Sequence, residues 1–276
     1  MIFKPVRMLG MPQGLLGLIL LFCVSATSAE ADHSIWNSLL VEHVQVLRQG
    51  RATQLNYAGI RQQQSELETY LQQLASISRE EFESWEHSHQ LAFLINAYNA
   101  WTVQLILAQD SDLESIRDIG FLPNAAWRRD IVALFGEQIS LDDLEHGMIR
   151  GWGRYNEPRI HFAVNCAAVG CPALRAEAYE GDRLALQLED STALFLADRE
   201  RNYIDGDRLY VSRIFDWYEE DFEKGWNGIR SVAQFLLQYS EQLGLSAEEQ
   251  EALATGQLRV RYAEYDWDLN RLTAPR

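Results

Sequence analysis

The sequence predicts an α+β fold, largely helical with a small antiparallel sheet, on three observations. Leu91 to Leu107, LAFLINAYNAWTVQLIL, is apolar nearly all round, the pattern of a central buried helix. Several flanking segments repeat their apolar residues at helical spacing. Strand signals are few and short: Ile131 to Phe135, Ile160 to Val164, a hairpin over Asn202 to Ser212 turning at Asp205-Gly206, and the alternating LRVRY from Leu258.

Taken in order, the chain opens on a targeting pattern. Lys4 and Arg7 precede an apolar run, Gly14 to Val24, too short to span a bilayer comfortably, and small residues Ser25 to Ala29 follow. Residues 1–29 read as a secretory signal peptide cleaved before Glu30, with an uncleaved anchor as the alternative. Leu21 and Phe22 are too bulky for a lipoprotein site at Cys23. The expected product is periplasmic or secreted, a single mature domain over 30–276 with no stable membrane insertion after cleavage. Its 30–87 part supplies helices that pack on the body. Trp36, Leu39, Leu40, Val44 and Leu47 trace one; Leu67, Tyr70, Leu71 and Leu74 trace another. Between them Gly50 to Gly59 reads as a loop anchored by Tyr57. Ser78 with Glu81 is a capping box. His87 and His89 face different ways on a helix and read as surface residues.

In the buried helix Asn96, Asn99 and Thr102 fall near one face. Buried amides need partners: a water, a loop, or a catalytic group to orient. Asp110 to Trp127 is loop-rich. After the Ile131 strand and a Gly136-Glu137 turn, Ser140 caps a helix with Asp143 at the third position. Leu141, Leu144 and Met148 form its stripe. Glu145 borders that stripe, where a carboxylate needs a partner, and His161 is the one expected. His146 points about a quarter-turn away. Leu184, Leu188, Thr192 and Phe195 trace a further helix, as do Ile229, Val232, Leu236 and Tyr239. Ile214 to Phe222, IFDWYEEDF, is aromatic and acidic; most of its rings suit a core, and Trp217 is the ring assigned to a cleft.

The 276 residues, 47% hydrophobic, suffice for one sizeable core or two small ones. With 24 basic and 40 acidic side chains the net charge is -16. No basic patch appears, which excludes nucleic acid and an anionic membrane surface as partners; the acidity itself serves solubility. Of three cysteines, cleavage removes Cys23 and leaves Cys166 and Cys171. In an oxidising compartment such a pair invites a disulfide.

Reactive groups concentrate in Arg159 to Arg175, RIHFAVNCAAVGCPALR. If Ile160 to Val164 is a strand, His161 and Asn165 share one face, and Ile160, Phe162, Val164 and Cys166 the other. Either a bulge near Asn165 turns Cys166 toward His161, or the small-residue loop brings Cys171 back.

The ordered set FLINAYNA, SLDDLEHGMIR, RIHFAVNCAAVGCPALR, SRIFDWYEEDF and YDWDLN resembles the family known as domain of unknown function 547, over Ser88 to Asn270. The resemblance implies a mixed fold, largely helical around a small sheet. The layout is also similar to papain-like and transglutaminase-like thiol enzymes, which set a central helix against a sheet carrying a histidine. Their nucleophile usually opens that helix. Leu91 to Leu107 has no cysteine, so either the Cys166–Cys171 loop supplies the thiol or the layout is shared without the chemistry.

Four functions compete. The leading expectation is an exported thiol-dependent enzyme, carrying out cysteine acyl transfer or hydrolysis on a peptide-like amide or thioester. Cys166 would be its nucleophile, His161 its base and Glu145 the orienting carboxylate. Cys171 and His146 are the alternative nucleophile and base, and the N–H groups of Ala167 to Gly170 offer an oxyanion site. Asn96, Asn99, His146, Asn165, Cys171 and Trp217 are the candidate substrate contacts. The second reading is a non-catalytic binding module for a small peptide or a thiol compound such as glutathione, with mixed-disulfide capture as one mode. The third is a disulfide-closed loop beside a core histidine. The fourth makes His161, Cys166, Cys171 and His146 zinc ligands, but their spacing matches no zinc motif. No cofactor or bound metal is expected.

Overall fold

The computed structural model describes residues 1–2 and 30–272. The leader expected over 1–29 lies, from residue 3 on, outside the described residues. Helix α1, Ser34–His43, buries Trp36, Leu39 and Leu40, but it stops before the expected Val44 and Leu47. Val44 is extended, and β1, Val44–Leu47, pairs antiparallel with β2, Ala52–Leu55. Two β-branched valines favour the strand, and Gly50, at φ +92°, makes the tight return. The segment 50–59 read as a loop is thus a strand followed by the short helix α2, Tyr57–Gln62, capped by the Asn56 side chain. Tyr57 is its buried anchor, and its hydroxyl donates to Asn270 Oδ1 at 2.7 Å.

Helix α3, Gln64–Ser76, buries the four residues its spacing named. Ser78 caps α4, Arg79–Glu83, by accepting the Glu81 N–H at 3.0 Å. Ahead of α1, His33 is buried against Phe93 and Tyr70, whose hydroxyl lies 2.7 Å from its Nδ1. All these pack around α5, His87–Leu107, which is buried without a break from Leu91 to Ala100. The hairpin of β3, Asp130–Leu134, and β4, Glu137–Ser140, follows. Ser140 then caps the next helix through Asp143, with Oγ donating to Oδ2 at 2.6 Å. From Asp143–Ile149 that helix is wound as a π-helix, and Arg150 N–H reaches back to Glu145 C=O at 2.9 Å.

The expected strand Ile160 to Val164 is not a strand. Pro158–Phe162 forms a 3-10 turn. Proline presets the helical φ and removes an N–H, and the Glu157 side chain accepts the N–H of Arg159, so the chain coils before it can pair. The turn sends neighbours to opposite sides. His161 joins a cleft, whereas Phe162 enters a second apolar cluster with Phe195, Phe215 and Phe235.

Helix α6, Leu184–Leu196, links the two clusters. The hairpin turns at Gly206 (φ +60°) between β5, Tyr203–Asp205, and β6, Arg208–Val211. β6 also pairs parallel with β7, Arg259–Tyr262. Helices α7, Ile214–Trp217, α8, Glu219–Glu223, and α9, Val232–Gln238, complete the second cluster. The fold is therefore α+β as expected, but its strands form three separate small sheets among the described residues, of two, two and three strands. None of them carries His161, so the papain-like arrangement of a histidine on a sheet is absent from the described residues.

The tail segment 265–270 lies along the 167–170 loop. Val169 and Gly170 donate to Asp268 and Asp266 C=O, both at 2.8 Å, and Asn270 donates to Ala167 C=O at 3.0 Å. A side chain at 170 would sit 2.9 Å from Asp266 O, so the approach requires glycine.

A candidate ligand cleft

The site rests on α5. Asn99 donates to Ala163 C=O at 3.0 Å and accepts from Asn165 N–H at 2.8 Å, clamping the chain just after the 3-10 turn. Asn96 makes the same double bond to Tyr179, at 2.8 Å and 3.0 Å. Both amides thus satisfy backbone groups, the loop-holding alternative of the sequence. Asn165 closes the next loop from both ends. Its Oδ1 accepts Ala167 N–H at 3.0 Å and its Nδ2 donates to Pro172 C=O at 2.7 Å.

Within that loop Cys166 and Cys171 are joined, S–S 2.04 Å and Cα–Cα 6.1 Å. This overturns the leading expectation. Neither sulfur is a free thiol, so Cys166, His161 and Glu145 do not make a thiol triad, and the expectation of hydrolase-like, papain-like thiol chemistry falls with it. Cys171 is no alternative nucleophile for the same reason. The zinc reading of His161, Cys166, Cys171 and His146 fails too, because the sulfurs bond each other and no metal-holding cluster occurs among the described residues. Cys166 still contributes to the cleft wall, and Tyr265 Oη lies 3.3 Å from both sulfurs.

His161 is 2% exposed, and its partner is Asp221, not Glu145: Nε2 to Oδ2 is 2.7 Å. Arg150 Nε donates to the same oxygen at 2.5 Å, and Lys224 Nζ to the other at 2.6 Å. Burial pushes the Asp221 carboxyl up, but the hydrogen bonds from His161, Arg150 and Lys224 outweigh it and hold the group well below the ordinary range. Burial lowers the His161 pKa; the Asp221 bond and the Glu145 charge oppose this without cancelling it. The imidazole is therefore neutral at pH 7. With Nε2 donating to an ionised carboxylate, Nδ1 is an acceptor, and it meets no donor among the described residues.

Glu145 is 5% exposed and lines the same cleft. The π-helix and its capped start bring it there. Its Oε1 also meets no hydrogen-bond donor among the described residues. Burial first, and then the Glu145 charge and side-chain hydrogen bonding to that carboxylate, raise the phenol pKa values of Tyr98 and Tyr218, while Oε1 is the oxygen left without a partner. Tyr218 stacks on His161 with ring centroids 3.9 Å apart. Trp217, 41% exposed, packs on Tyr265 and Trp267 at 4.8 Å and 5.6 Å to form an aromatic wall. Arg117 lies 5.1 Å over the Trp267 ring. His146 stands at the edge, 40% exposed, 2.6 Å from Arg150 Nη1 and 3.6 Å from Asp142. The volume of this open cleft is about 530 Å³.

A second cavity of about 430 Å³ lies elsewhere, under Val41, Val46 and Leu194. Its Arg175 is already bonded to Glu177 and Asp190, so it offers no unpartnered charge. Asp221, Arg150, Tyr98, Tyr218 and Tyr265 escaped the sequence reading. For Asp221 a signal existed. It falls one helical turn beyond Trp217 and Tyr218 and beside buried Phe222, in a segment read for its rings alone.

These features define an α+β protein with one aromatic-walled, carboxylate-bearing cleft built on a buried helix. Residues 82–196 match the family described as Protein of unknown function, DUF547. The match holds α5, Glu145, His161 and the disulfide loop; Trp217, Asp221 and Tyr265 lie beyond it. No curated protein and no solved structure matches the chain significantly.

Proposed function

We propose that this chain is an exported, non-catalytic binding module whose cleft takes a small peptide or a thiol compound such as glutathione. The observation that carries the reading is the pair of buried acceptors, Glu145 Oε1 and His161 Nδ1, left without donors in a cleft of about 530 Å³. Buried polar groups find partners, and a ligand provides them here. The volume suits a ligand of a few residues. The wall of Trp217, Tyr265 and Trp267 gives an apolar surface for a side chain. The closed disulfide supports binding without thiol turnover. It also supports an oxidising compartment, in line with the leader. Among the described residues no helix is long and apolar enough to cross a membrane.

Calorimetric titration with glutathione and a panel of di- and tripeptides tests the reading. At least one should saturate with a Kd below about 1 mM and raise the melting temperature, with Trp217→Ala weakening it. No saturation by any member, or steady release of cleavage products, would end the proposal. Export is tested separately by intact mass: the exported chain should begin near Glu30, and retention of residues 1–29 would refute it.

A further inference from the structure

We propose that the cleft receives its ligand amine first, with the protonated amino group of a small peptide held between Glu145 Oε1 and His161 Nδ1. The inference rests on the binding reading above and names the end of the ligand that the buried groups select.

Both unpartnered atoms are acceptors. Glu145 is a carboxylate, and His161 is committed by its bond to Asp221 to offering Nδ1 as a lone pair. A group that satisfies two acceptors must bring at least two hydrogens. An ammonium carries three and has no lone pair to leave exposed. A carboxylate or phosphate brings acceptors to acceptors and a negative charge to a negative charge. A hydroxyl has one hydrogen and leaves one acceptor unsatisfied.

Charge points the same way. No cation of the protein pairs with Glu145 among the described residues. Arg150 is near enough to feel its charge, but its guanidinium is bonded to Asp221 and His146. A buried carboxylate without a cation is costly, and a ligand ammonium removes that cost. The surroundings also suit a cation. Tyr98 and Tyr218 stand close enough for the carboxylate to act on their phenols, and Trp217, Tyr265 and Trp267 line the same cleft. Aromatic faces attract ammonium groups.

The test compares phenylalanyl-glycine with its N-acetyl derivative by calorimetry on the disulfide-intact chain at pH 7. A peptide amine is then mostly protonated, with an ordinary pKa of about 7.7–8.0. The free-amine form should bind at least about tenfold more tightly, the scale of one charged hydrogen bond. Glu145→Gln should remove most of that difference. If the N-acetyl form binds as tightly as the free amine, the amine-first orientation is wrong while the peptide reading stands. If neither form binds and glutathione and the wider peptide panel also fail, both readings fall together. Because acetylation alters only the ligand, the comparison survives even if the Glu145 variant does not fold.

Discussion

Asp221→Ala should lower stability by about 3 kcal/mol, the low end of the range for removing one partner of a buried ion pair. Three donors converge on this carboxylate: His161 Nε2 at 2.7 Å, Arg150 Nε at 2.5 Å and Lys224 Nζ at 2.6 Å. Its removal leaves His161 buried with neither nitrogen partnered, and Arg150 partly buried without its anion. Lys224 is half-exposed and returns to water, which is why the low end applies. Asp142 lines the same cleft but is only half-buried, and its contact with His146 is a long 3.6 Å. Asp142→Ala should therefore change stability by no more than about 0.5 kcal/mol. Urea unfolding of the two variants checks the pair. A loss below about 1 kcal/mol for Asp221→Ala would mean that the carboxylate does not organise His161 and Arg150.

Acid should weaken the fold well before the carboxylates protonate. Burial holds His33 at a pKa of about 4, only partly opposed by Asp32. The unfolded chain takes up that proton near pH 6.5. Between the two values the unfolded state binds more protons, so stability falls as pH falls from 6.5 and levels off below the folded value. For His33 the loss between pH 7 and pH 4.5 is about 2 kcal/mol. His161, also lowered by burial, adds loss in the same direction. Asp221 works in a lower window, since a depressed carboxylate keeps its contribution until the pH drops below the unfolded value of about 3.9. The net charge of -16 shrinks on acidification, which relieves repulsion and opposes the trend. Measuring urea midpoints in about 0.5 M salt screens that term. The pH 4.5 midpoint should lie clearly below the pH 7 one, and His33→Asn should narrow the gap. Equal midpoints at both pH values would show that His33 is not buried neutral.

The binding reading changes what the two cysteines mean. Proximity in sequence suggested a nucleophile beside a base. In the folded chain the loop turns both sulfurs onto each other, and Tyr265 from the tail segment lies against them. The histidine is oriented by a carboxylate and belongs to the cleft lining, and its other nitrogen is buried without a partner among the described residues. Under the proposed binding function, a ligand donor would satisfy that nitrogen without any bond being made or broken.

Period and end signals let the sequence by itself determine the α+β class, the buried helix α5 and most of α3, α6 and the β5–β6 hairpin. These features are local: a side chain's spacing or a capping oxygen acts within one or two turns. Ser78 and Ser140 marked their helix starts for that reason, and Glu145 was placed beside a buried stripe by counting alone. Only the tertiary structure decided the rest. Val44 left its helix because a partner strand lay across a glycine turn. Ile160 to Val164 has the composition of a strand, but strand formation needs a neighbour to pair with, and Pro158 with the Glu157 cap coiled it first. His161 took Asp221 from 60 residues away instead of Glu145, because no spacing rule reaches across helices. The pairing of Cys166 with Cys171, left open among several fates, was settled by a loop that Asn165 closes and the 265–270 segment holds in place.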